Sequence, residues 1–170
     1  TWQVFPGLEG PPDWLTSPDT VEGLRSESNY YYLAGQLIHN GLVDAGACLD
    51  GGLQSVNVAS ACGVEAARPM LVEWQNRFDE EILSVSTQSG VPARLLKAVF
   101  ARESQVWPGI FSSYKEAGLG QMTEKGADAV LLWNPDFFHQ FCPLVLSQPF
   151  CDLGFGNLKS PEQNMLRGAL

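Results

Sequence analysis

Basic side chains are scarce in this chain: ten Lys and Arg stand against nineteen Asp and Glu, for a formal net charge of -9. They are scattered, so the clustered positive footprint of a nucleic-acid binder is missing, and the acidity reads as solubility. No uninterrupted apolar run approaches the roughly 20 residues that span a bilayer, which argues against a transmembrane segment. Histidine is limited to His39 and His139, in unrelated contexts, and no two cysteines form a C-x-x-C pair. A zinc site therefore has little support, and no metal or cofactor is expected. Strand-like alternation is also rare, and no internal repeat is evident, so the expected fold class is mainly α. Thr1 follows neither an initiator Met nor a charged-then-apolar leader, which we read as a processed mature form or a trimmed piece.

With 45% hydrophobic and 17% charged residues, the composition is that of a globular protein. Its 170 residues suffice to bury one core. The four cysteines allow three disulfide connectivities. Cys48 with Cys62 and Cys142 with Cys151 are favoured, because each pair brackets a loop rich in turn and breaker residues, "CLDGGLQSVNVASAC" and "CPLVLSQPFC". The alternative is four buried thiols in a cytosolic protein. Bridges would place the protein outside the cytosol: secreted, periplasmic or at the cell surface.

Residues 1–25 read as an extended, Pro-rich N-terminal arm whose Trp2, Phe5 and Trp14 pin it to a single helical domain over 26–170. Tyr30, Leu33, Ala34, Leu37, Ile38 and Leu42 mark the apolar face of a first helix. A second carries Leu71, Trp74, Phe78, Ile82 and Val85, with Pro69 in its first turn and Gly90 at its end. Pro92 starts a third, with Leu95, Leu96, Val99 and Phe100 inward. Thr123 caps a short helix bearing Ala127, Val130 and Leu131, which Asn134-Pro135 breaks. Ser160, Pro161 and Gln163 form a capping box for the last helix.

In "ARESQVWPG" (101–109), Glu103 lies four residues after Val99, three after Phe100 and seven after Leu96, so helical spacing puts a carboxylate on the expected buried stripe. A carboxylate in a partly apolar setting is disfavoured as an anion, the condition a general acid needs near neutrality. Spacing also fits a solvated carboxylate at a fraying helix end, or one paired with Arg102, and by itself favours that reading.

The residues that follow extend the pattern. "GVPARLLKAVFARES", "AGLGQMTEKGAD" and "SPEQNMLRGAL" appear in that order. Together they resemble the lysozyme-like lytic transglycosylase family, the relatives of soluble lytic transglycosylases and goose-type lysozymes. That family has a Gly-Val-x-Pro helix start, a helix ending in Glu-Ser, a Gly-Leu-Met-Gln turn and a later Pro-Glu-x-Asn helix start. The resemblance covers Gly90 to Leu170 and implies a lysozyme-like fold. It further implies that Glu103 is the sole catalytic acid/base, Ser104 its hydrogen-bonding neighbour, Gln121 a residue of the sugar cleft and Asn164 a structural residue. Gly120 replaces the family's Met at that subsite. Tyr114, Phe111 and Trp107 are candidates to stack on sugar faces. The implied substrate is peptidoglycan or another N-acetylated aminosugar glycan, cleaved at the MurNAc-GlcNAc β-1,4 bond to leave 1,6-anhydromuramic ends; a hydrolysing lysozyme is the second choice.

The family continues into an Ala-Tyr-Asn motif that is not present in this chain. The expectations are therefore a cleft completed by the N-terminal arm, or a fragment whose last helix exposes Leu166 and Leu170 and associates with itself or a partner. A non-catalytic glycan-binding or structural relative is the alternative to an enzyme. The negative charge leans that way, since an anionic wall repels it at long range.

Overall fold

The computed structural model describes residues 10–109 and 116–170. Two compact units divide the chain, residues 1–109 and 110–170, and their boundary falls inside the stretch expected as one domain. The described residues are mainly helical, and strand is confined to two short antiparallel hairpins.

In the first unit, helix α1 (Tyr31–His39) is followed by a hairpin of β1 (Leu53–Ser55) and β2 (Val58–Ala59), in which Leu53 faces Ala59. Three helices follow: α2 (Ala61–Asn76), α3 (Asp79–Ser89) and α4 (Ala93–Ser104). Leu33, Ala34 and Leu37 of α1 are fully buried against Ala59, Val64, Ala67 and Leu71. Glycine lets the backbones touch there: a Cβ on Gly63 would lie 1.9 Å from the Gly52 carbonyl oxygen, and one on Gly35 would lie 2.5 Å from that of Asn57. The Cys48–Cys62 disulfide, with Cα atoms 5.9 Å apart, staples the intervening loop to the first turn of α2. Its pairing is the expected one.

The single helix expected over Leu71 to Val85 is two helices. Ser60 caps α2 by accepting from the Gly63 N–H (3.2 Å), so Pro69 lies inside that helix rather than in its first turn. The helix stops at Arg77–Phe78 and α3 restarts at Asp79. The restart has a physical reason: it puts the buried Asp79 in the first turn of a new helix, where the dipole favours an anion. Val85 is consequently half exposed. Gly90 ends α3 in the left-handed conformation, as its sequence position predicts.

Residues 10–28 are held by polar bonds and by buried Leu24, which packs with Ile82 and Ala93. The Ser17 hydroxyl accepts from the Ala93 N–H (2.9 Å) at the start of α4, and the Thr16 carbonyl accepts from the Arg94 N–H (3.2 Å). Ser26 exchanges backbone bonds with the Asn76 side chain. Trp14 is 54% exposed, while Trp2 and Phe5 lie outside the described residues.

The second unit has a hairpin of β3 (Glu116–Ala117) and β4 (Met122–Thr123), then α5 (Glu124–Trp133), α6 (Pro135–Phe141), a short α7 (Gln148–Cys151) and α8 (Ser160–Ala169). Leu131, Phe138, Phe155, Leu158 and Leu166 pack around Cys142 and Cys151, which form the second expected disulfide. Thr123 caps α5 through the Gly126 N–H, and Asn134 caps α6 through the Phe137 N–H. The capping box expected for α8 is not formed: the Gln163 side chain instead donates to the Phe155 carbonyl (3.0 Å). Leu166 is fully buried, so the exposed apolar face expected there is reduced to Met165 and Leu170.

Candidate functional site

The inward face of α4 differs from its expected stripe. Ala93, Lys97 and Ser104 are buried, Leu95, Leu96 and Phe100 are half-buried, and Val99 is exposed. Lys97 explains the rotation. Its ammonium donates to Asp79 Oδ2 (2.7 Å), Asn76 Oδ1 (2.8 Å) and the Leu24 carbonyl (2.7 Å), so all three of its donor positions are used. Burial pushes the Asp79 carboxyl above its ordinary value and the Lys97 ammonium below its own, while the bond and charge they share pull each part of the way back. The other Asp79 oxygen, Oδ1, is buried without a hydrogen-bond partner among the described residues.

That rotation carries Glu103 outward. Its side chain is exposed at the end of α4, not on the core face, and makes no ion pair with Arg102 or any other described residue. Ser104 points inward, and its hydroxyl donates to the Phe100 carbonyl (3.1 Å). Directly after it, Gln105 and Val106 both adopt positive φ (49° and 64°), an uncommon state for Gln and a marked outlier for a β-branched residue. The Val106 N–H closes on the Phe100 carbonyl (3.1 Å), and Val106 itself is buried. Trp107 stacks on Trp74 with ring centroids 5.2 Å apart, so one of its faces is taken, and the Arg77 guanidinium lies over the Trp74 ring at 4.1 Å.

In the second unit, residues 118–121 form the turn joining β3 to β4. Gln121 has φ 47° and is buried, and its side-chain amide donates to the Gly118 carbonyl (2.7 Å). Gly120 is exposed. Asn164, exposed on α8, accepts from Arg167 (2.7 Å), whose guanidinium forks onto both oxygens of Asp128 on α5. Pairing with Asp128 raises Arg167 further above its ordinary value. Asn164 thus supports the tie between α8 and α5. Tyr114 and Phe111 lie outside the described residues.

Sequence reasoning missed Lys97, Asp79 and Gln105. A lysine between Leu96 and Val99 was the available signal for the first. Gln105 offered none, because its partners lie more than 70 residues away. No cluster of three His, Cys, Asp or Glu side chains suited to a metal occurs among the described residues, and no described helix is long and apolar enough to cross a membrane. Comparison with family models, curated proteins and solved structures yields no match.

Proposed function

We propose that this protein is an exported, lysozyme-like lytic transglycosylase acting on peptidoglycan, with Glu103 as its single acid/base. The observation that carries the reading is the end of α4: an exposed carboxylate in the last helical turn, followed directly after the helix by two residues of positive φ, Gln105 and Val106, within the first of three ordered family-like motifs. Strain of this kind concentrates at functional sites. A carboxylate that acts on a polymer must be reachable before the polymer arrives, and the sugar rings laid over it would then exclude its water.

In this reading Glu103 protonates the glycosidic oxygen, and the C1–O bond breaks as the muramic N-acetyl group stabilises the sugar cation. The ionised Glu103 then takes the proton of that sugar's 6-hydroxyl as O6 bonds to C1, which regenerates the acid and closes the 1,6-anhydro ring. No second carboxylate is needed, unlike in two-carboxylate glycosidases. The family resemblance alone puts Ser104 of the first unit, and Gln121, Gly120 and Tyr114 of the second, among the glycan-contact candidates; Ser104 and Gln121 are buried, and Tyr114 lies outside the described residues. Two disulfides fit an oxidising compartment.

A non-catalytic glycan-binding relative is the second reading. It is favoured by the absence of any partner for Glu103 among the described residues and by the net charge of -9. Digestion of purified peptidoglycan followed by mass spectrometry separates the two. Anhydro-muropeptides from wild type, absent with Glu103→Gln, support the transglycosylase. Reducing ends indicate a lysozyme, and glycan binding without any product indicates the binding module.

A further inference from the structure

We infer that Gln105 is a positioning residue for Glu103, a role that rests on the proposed reaction and deepens it. Glu103 has no side-chain partner among the described residues, so its place is set by the backbone that carries it. That backbone leaves α4 through two consecutive left-handed residues, Gln105 and Val106. Neither is glycine, so this turn persists only where its surroundings hold it.

Gln105 supplies the longest-range of those restraints. Its Oε1 accepts from the backbone N–H groups of Tyr32 (2.8 Å) and Leu33 (3.2 Å) in the first turn of α1. Helix α1 needs that acceptor, because Tyr30 at its N-cap makes no side-chain capping bond. One side chain therefore both caps α1 and ties the end of α4 to it. Since α1 carries the fully buried Leu33, Ala34 and Leu37, the backbone two residues past Glu103 is fastened to a helix of the unit's buried core.

The test compares Gln105→Met, which keeps length but has no acceptor, with Gln105→Glu, which keeps an acceptor and adds a charge that the N-terminus of α1 favours. Rates on purified peptidoglycan over a range of concentrations should show kcat down about 10- to 100-fold in Gln105→Met, the cost expected of a displaced catalytic group, with KM within about twofold. Gln105→Glu should restore kcat. Wild-type kcat in Gln105→Met, or a loss that Gln105→Glu does not recover, overturns the inference. Should the wild type cleave nothing, the functional reading fails separately and the positioning is judged by amide NMR. Faster hydrogen exchange at Tyr32 and Leu33 with greater mobility at residues 103–106 in Gln105→Met supports it, and unchanged spectra there overturn it.

Discussion

Removal of the Lys97 ammonium offers the sharpest check on how the first unit is held together. In Lys97→Met the volume stays close to native, but the nearly inaccessible Asp79 loses its bond to the ammonium, and the Leu24 carbonyl loses the ammonium donor. Breaking a buried pair from one side costs about 3–5 kcal/mol, because an uncompensated charge remains. Against a typical total stability of about 5–15 kcal/mol, that would leave the unit marginal. The loss should also depend on pH. Burial raises the Asp79 carboxyl, and the variant removes both effects of Lys97 that lower it. A carboxyl raised in the folded state contributes stability that is complete below its unfolded value and is lost as pH rises through its folded one. The variant's deficit should therefore shrink between about pH 7 and about pH 4.5. Urea titration followed by the fluorescence of Trp74 and Trp107 measures both quantities. Replacing both partners, Asp79→Leu with Lys97→Met, should recover much of the loss, since apolar substitutes for a buried pair are often neutral or stabilising. A loss under about 1 kcal/mol in the single variant, or an equal loss at the two pH values, would refute the reasoning.

Three further outcomes are expected. Glu103→Gln changes an exposed side chain with no partner among the described residues, so its unfolding stability should shift by under about 0.5 kcal/mol while any transglycosylase activity disappears. Gly63→Ala would place a methyl group 1.9 Å from the Gly52 carbonyl oxygen, and the overpacking should cost about 1–3 kcal/mol or more in the same titration. Cys48→Ser with Cys62→Ser opens a loop with a sequence separation of 14 and should cost about 3 kcal/mol, while alkylation of the unreduced wild type should add no mass.

What was legible in the sequence was local. Thr123 and Asn134 read as caps, Gly90 as a helix stop and each cysteine pair as the bracket of a turn-rich loop, because in each case the partner lies within a few residues or across one short loop. The failures share the opposite property. Which face of α4 turns inward depends on Leu24, Asn76 and Asp79 converging on Lys97, and apolar spacing alone pointed to Val99 instead. Ser160 and Gln163 satisfy the capping-box pattern, yet the Phe155 carbonyl, delivered by the preceding chain, captures the glutamine. The same spacing puts Glu103 on the apolar stripe and also fits a solvated helix-end carboxylate; its side chain is exposed, so the motif around it, not burial, is what makes it a candidate.

The two disulfides differ in how well the fold shields them. Cys142 and Cys151 have no accessible surface and stand at the centre of the second core, whereas Cys62 is exposed on the first turn of α2. Thiol exchange requires a thiolate to reach a sulfur, so accessibility orders the two reactions. A mild reductant should open the bridge of the first unit while leaving that of the second intact, so graded reduction would produce a half-reduced species whose labelled thiols belong to residues 48 and 62.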